Sequence, residues 1–331
     1  MPKNLRRFLK IFIWLSALFI ILILGAYYFI QTETFNKLAL EYTVSKLNKS
    51  WELKESKLNV ASVHGNILEG IRADYGTIIV REDTLFDFAY LDVKYDIWGL
   101  FNHEIRVEHA TLNSPRINLI KMKYNKDSLI WNFMNLFSSA QEKDTSISEF
   151  DWDLTLEKLK IENGHLKVAG NLDENNPEWK YGNVKLDSFD FNDLDLTNFE
   201  MELNARYFKN FKNISIKNLS FKTNSDFNLK KLALDANINI KDTTTDLWAF
   251  EMVTDRSTIK IDKVHMEDFS PFNKIAYENL GNKNFEVQLN IEKFNFDDLK
   301  FFLPELDFLD STAGLILNVD GKYGDMDIHY L

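Results

Sequence analysis

The sequence predicts a mainly β protein: one N-terminal transmembrane helix, then a curled antiparallel β-sheet groove with few short helices. Three observations predict it. An uncharged stretch of twenty residues, Ile11 to Ile30, stands near the start of the 331-residue chain. From about Trp51 onward, apolar residues recur at every second position, in short bursts separated by Asp, Asn and Gly. Helical periodicity is scarce. An alternating strand has one apolar and one wet face. A sheet of many such strands must hide its apolar face against helices, a second sheet, or something that is not protein.

The first element is the anchor. Twenty residues at about 1.5 Å each span about 30 Å, the hydrocarbon thickness of a bilayer. Lys3, Arg6, Arg7 and Lys10 precede it with no acidic residue among the first ten, which places the N-terminus in the cytoplasm and the rest across the membrane. Trp14 near one end and Tyr27 and Tyr28 near the other fit interfacial belts. A cleaved signal peptide is the rival reading. Its apolar core runs about 7–15 residues and ends in small residues, whereas Gly25-Ala26 is followed here by Tyr-Tyr-Phe-Ile.

The body is acidic. The formal net charge is −11, and the remaining 35 basic residues against 50 acidic ones leave −15 after the first ten residues. Such a surface argues against nucleic acid as a partner, because phosphates need a basic face. There is no cysteine, hence no disulfide framework, thiolate nucleophile or thiolate metal site.

Composition and pattern divide the chain into a cytoplasmic tail and membrane anchor (1–30), a juxtamembrane helix (31–50), an N-terminal β module (51–137), a linker (138–148) and a β-groove (149–331). In the juxtamembrane helix, Phe35, Leu38 and Tyr42 form one apolar stripe and Leu40, Val44 and Leu47 another. Such a helix fits between a membrane surface and the first strands, or serves as a partly buried linker. In the first module, Val60 to Ile71 alternates around Gly65 and Gly70, and Phe86 to Ile97 and Ile105 to Leu119 continue the habit. An amphipathic helix is expected over 128–137: Leu129, Ile130, Phe133, Met134, Leu136 and Phe137 form its apolar face, capped by Trp131 and Phe133, with Asn132 and Asn135 on its polar side. This helix either plugs the groove end nearest the inner membrane or covers sheet edge and core.

From Trp152 the apolar positions follow a repeating step: Leu154, Leu156, Leu159, Ile161, a turn at Gly164, then Leu166 and Val168. Pairs repeating every five residues invert the inward parity, so bulges or bends must restore the facing. Phe189, Phe191, Leu194, Leu196, Phe199, Met201, Leu234, Ile238, Ile240, Phe294 and Phe296 are the expected groove-lining residues. A short helix is expected from Phe296 to Leu303, before Pro304. Tyr323 to Leu331 reads as an alternating segment cut short, as in a groove truncated at its C-terminus.

Catalytic patterns are absent from the sequence. The six histidines have no metal-ligand spacing. Asp187, Asp190, Asp193 and Asp195 lack the glycine and spacing of a calcium loop and read as a wet strand face. No Gly-x-Ser-x-Gly, P-loop or Gly-x-Gly-x-x-Gly is present. No carboxylate pair stands out for glycoside hydrolysis. The expectation is a non-enzymatic protein with no catalytic residue, no metal and no cofactor.

Four motifs in order carry a resemblance. After the basic N-terminus and anchor come Val63-x-Gly65-x-x-Leu68-x-Gly70-Ile71, then Ile105 to Leu119 with Pro115, then Leu129-Ile-Trp131-Asn132-Phe133, and Leu154 to Leu166 with Gly164. This order resembles the N-terminal part of the AsmA/TamB family, whose members include inner-membrane-anchored periplasmic proteins. The resemblance implies a repeating β-groove, apolar inside and polar outside. It also implies phospholipid transport between inner and outer membranes, in support of outer-membrane biogenesis. Membrane lipids, the inner membrane and an outer-membrane barrel protein are the partners it implies. A structural scaffold that pairs its strand edges with an outer-membrane protein under assembly is the alternative. Alternation suits a dry core as well as a lipid-lined trough. The tertiary structure must choose.

Overall fold

Among the described residues, fifteen strands carry the fold. The structure, a computed structural model, describes residues 21–22, 24–25, 27–51, 55–125, 128–137, 152–170, 193–225, 227–240, 243–270, 280–302, 311–322 and 325–330. Residues 27–30 are helical, and after a break at Gln31-Thr32 the chain forms helix α1, Glu33–Trp51. Thr32 caps it: Oγ1 accepts the Phe35 N–H at 3.2 Å. Helix α1 lies along β1 (Ser56–Asn66), the outermost strand, and covers its free edge. Asn36 donates to the Gly65 carbonyl near one end, and Asn48 exchanges two hydrogen bonds with Leu58 toward the other. The helix therefore runs antiparallel to β1.

No helix among the described residues is long and apolar enough to cross a membrane. Ile11 and Trp14 lie outside the described residues, and Ile30 ends the short helical stretch before α1.

Next come β2 (Gly70–Val80) and β3 (Asp83–Asp96), a 3-10 turn at Ile97–Asn102, β4 (Glu104–Asn113) and β5 (Arg116–Asn125). Both β4 and β5 lie between β3 and β7 (Asp153–Ala169), as one long strand kinked at Ser114-Pro115. Their pairing with β7 is parallel, which the alternation did not foretell. Every other ladder is antiparallel, a meander through β8 (Asp193–Phe208), β9 (Phe211–Thr223), β10 (Asn228–Asn239), β11 (Thr244–Thr254), β12 (Thr258–Met266), β13 (Phe285–Asn295), β14 (Thr312–Lys322) and β15 (Asp325–Tyr330).

The expected helix over 128–137 is corrected. Residues Ser128–Trp131 form strand β6, paired with β5, and only Met134–Phe137 is helical, as α2. Backbone pairing with β5 outweighs the 3–4 spacing of the apolar residues. The expected turn at Gly164 is also corrected, since β7 runs unbroken through it. The helix expected before Pro304 is α3, Phe296–Phe302.

The meander gives the sheet two rims. Along the first rim lie the connections β1–β2, β3–β4, β8–β9, β10–β11, β12–β13 and β14–β15. The three clusters of buried apolar side chains follow the second rim: Val80, Leu85 and Leu136; Val168, Leu194 and Leu196; Phe227 and Leu229. Helices α2 and α3 sit at that rim as well. In α3, the nearly buried Asp298 carboxylate accepts from Thr254 Oγ1 (2.5 Å) and Ser257 Oγ (2.6 Å), clamping the helix to the β11–β12 turn. Among the described residues the strands form one large curled sheet.

Candidate functional site

Register shifts keep the apolar side chains on one face. Going along β7, the apolar positions step by two, three, two, three, two and two residues: Leu154, Leu156, Leu159, Ile161, Gly164, Leu166, Val168. Their partners on β8 are Tyr207, Ala205, Leu203, Met201, Phe199, Leu196 and Leu194. Each three-residue step in one strand stands opposite a two-residue step in the other. The strand with the shorter step holds its side chains on one face, and so holds its partner's. Bulges thus restore the facing that the five-residue repeat would invert. Asn163 and Asn198, at φ 52° and 51°, supply the left-handed residues that two of these bulges need.

Across the sheet the same face is continuous. Val63, Ala73, Leu91, Leu112, Ile161 and Met201 are successive register partners, and Leu219, Leu232, Met252, Ile259, Ile291 and Leu315 continue the line. A second line runs from Tyr95 through Val107, Leu156, Ala205, Ile214 and Ala236. It goes on through Leu247, Val264, Val287 and Val319 to Ile328. All twelve residues of the first line are half-buried: none is buried and none fully exposed. The middle row between two tightly packed sheets would be buried. This face is a continuous apolar floor that is incompletely covered.

Most of the expected lining residues fall on that face. Leu194 and Leu196 are buried near the second rim beneath Trp131, while Phe199 and Met201 are half-buried on the floor. Leu234 and Ile238 lie on the same side of β10, and Ile240, just beyond the strand, is 36% exposed. Phe294 faces Ala313 and meets Phe296 edge to face at 5.3 Å. Phe189 and Phe191 lie outside the described residues.

At the expected plug, Trp131 and Phe133 stack at 6.3 Å and join the second-rim clusters. The side chains of Leu129 and Phe137 lie outside the described set. Leu136, on the expected apolar face, is buried in α2. The start of α1 meets the first rim, through Asn36 at Gly65, whereas Trp131, Phe133 and Leu136 fill the second. The helical reading also put Asn132 on the polar side, yet it is 0% exposed. Its Oδ1 accepts from the N–H of Ile120 (3.1 Å) and Phe133 (3.0 Å), and its Nδ2 donates to the Asn118 carbonyl at 2.7 Å. A lone Asn amid Leu, Ile, Trp and Phe was the available signal.

The opposite face is laced with cross-strand charges. Lys231 bonds Glu251, Lys260 bonds Glu292, and Lys263 reaches Glu286 at 2.5 Å. Hydrogen bonds from Lys160 and then Asn113 hold the Glu162 carboxyl below its usual range; the Lys231 and Lys263 ammonium groups do the same for Glu251 and Glu286. His165 pairs with Asp195 and His265 with Asp246, each at 2.6 Å. Asp195 thus belongs to the wet face, and Asp187 and Asp190 lie outside the described residues.

Comparison with family models, with curated proteins and with solved structures finds no match for this chain.

Proposed function

We propose that this protein is a membrane-anchored carrier whose apolar trough shelters lipid acyl chains as they pass between membranes. The observation that carries the reading is the twelve-strand apolar line whose every member is only half-buried. Each large apolar side chain kept in water forgoes about 1.5–3 kcal/mol. A continuous floor of such residues marks a binding surface rather than an ordinary exterior. Acyl chains fit the vacancy chemically, because each methylene buried contributes about 0.8 kcal/mol. The charged outer face leaves the trough's exterior wet.

Localisation follows the sequence: Ile11–Ile30 anchors the chain in an inner membrane, with a cytoplasmic N-terminus and a periplasmic sheet. The resemblance to the AsmA/TamB family makes phospholipid the preferred cargo and outer-membrane biogenesis the process served. Transfer is passive, so direction comes from partners.

A photo-crosslinking amino acid at Met201, on the floor, tests this against one at Glu202, its neighbour on the wet face. Phospholipid should attach at Met201 and not at Glu202. A folded protein purified from membranes that captures lipid at neither position, or equally at both, overturns the reading. One observation favours the scaffold alternative. Helix α1 covers the free edge of β1, whereas β15 has a ladder neighbour on one side only among the described residues. A strand with one ladder neighbour is the geometry that strand addition uses.

A further inference from the structure

We infer that the Ile97–Asn102 turn is a second membrane contact, a rigid apolar wedge that enters the lipid interface beside the N-terminal anchor. The inference rests on the anchored reading and extends it to a part of the sheet. Trp98, Leu100 and Phe101 are 64%, 44% and 78% exposed, three large apolar side chains on one six-residue turn. Between Asp96 and Glu104 the chain carries no Asp, Glu, Lys or Arg. An exposed tip of this composition on a loose loop would fold back onto the nearby trough. This one is held outward.

Three devices hold it. Asp96 accepts the Trp98 N–H at 2.9 Å and caps the 3-10 turn. His103, in the left-handed region at φ 59°, closes its other end by donating its backbone N–H to the Gly99 and Leu100 carbonyls. Gly99 is buried against the Glu104 carbonyl, where a Cβ would come within 2.9 Å. Trp98 and Phe101 stack at 5.9 Å, so the wedge presents one aromatic surface.

Its place on the sheet names the occupant. The wedge joins β3 to β4 at the first rim, the same rim at which α1 begins: Asn36 is bonded to Gly65, at the end of β1, and Gly70 stands opposite Lys94 two residues before Asp96. Strands lie about 4.8 Å apart, so β3 and β4 are about 10–14 Å from β1. Just upstream of α1 the chain is the uncharged segment ending at Ile30. On α1 itself, Leu38 and Tyr42 point away from β1, 54% and 68% exposed. The start of α1, its outward face and the wedge thus share one corner of the sheet. A bilayer surface meets all three at once, and Trp favours its interfacial zone.

The absence of native cysteine allows a direct test with the full chain. Phe101→Cys and, as reference on the wet face of β9, Lys217→Cys are each labelled with an environment-sensitive fluorophore. They are reconstituted into vesicles of phosphatidylethanolamine and phosphatidylglycerol, with or without brominated acyl chains. The Phe101→Cys label should shift to the blue and lose intensity to bromine, and the Lys217→Cys label should do neither. Protein that floats with the vesicles while the Phe101→Cys label stays water-exposed overturns the wedge and leaves the anchor standing. Protein that does not float overturns both.

Discussion

Asn48 treats Leu58 as a strand would: its side-chain amide donates to the Leu58 carbonyl at 2.9 Å and accepts the Leu58 N–H at 2.7 Å. A side chain on a helix thereby completes the ladder of an edge strand, which otherwise offers its peptide groups to any passing strand. Asn48→Ala leaves both groups of Leu58 without their partner. Urea unfolding should show a loss of about 1–3 kcal/mol, and the Leu58 amide should exchange faster. Unchanged exchange would mean that α1 does not guard that edge.

Asn132 is the internal counterpart of that device. Asn132→Leu keeps the branched heavy-atom shape but orphans the Ile120 N–H and the Asn118 carbonyl at a buried site. The expected cost is about 2–5 kcal/mol. Tryptophan emission should also move to longer wavelength as Trp131 loses its seat. A neutral effect on both readouts would show that packing alone holds the second rim.

Gly76 lies beneath the Phe88 ring, so close that a Cβ would stand 2.1 Å from Cζ. Gly76→Ala must push the ring off a buried position, at about 1–3 kcal/mol. The Gly76→Ala/Phe88→Leu pair should lose less than the two single changes summed. Strict additivity in a double-mutant cycle would disprove the contact's importance.

Acid should weaken the wet face. Glu162, Glu251 and Glu286 have folded-state pKa values below their usual range, each through a lysine hydrogen bond first. A depressed carboxyl contributes stability that is complete above its unfolded pKa and is lost as pH falls through the folded value. The melting temperature should therefore fall below about pH 4.5. The fall is modest, because these groups are largely solvated. Glu162→Gln/Glu251→Gln should flatten the acid limb while lowering the neutral plateau. An unaltered limb would rule these pairs out as its source.

Several features were legible before the fold was known because they depend on near neighbours. Strand alternation is a property of successive residues, so the β class and the apolar identity of Leu194, Leu196, Phe199 and Met201 followed from spacing. The mixed two- and three-residue steps of Leu154 to Val168 even required bulges, since a sheet cannot bury both faces of one strand against the same trough. Other features resisted. Leu129, Ile130, Phe133 and Met134 have helical spacing, yet pairing with β5 drew Ser128–Trp131 into a strand. Gly164 looked like a turn because glycine ends strands as often as it bulges them; only the Phe199 partner shows which.

The sequence by itself determined that the chain has amphipathic strands with more apolar face than its few helices can cover, and an uncharged segment long enough to span a bilayer. Those are sums over local composition. Only the tertiary structure decided that β4 and β5 run parallel to β7, that α1 guards β1, and that the buried clusters gather at the second rim. It alone left the Trp98 and Phe101 wedge exposed at the first. Such arrangements depend on which distant backbone groups find each other, and hydrogen-bonding groups of the main chain are the same in every residue. Side-chain order cannot encode a pairing whose donors and acceptors carry no side-chain label.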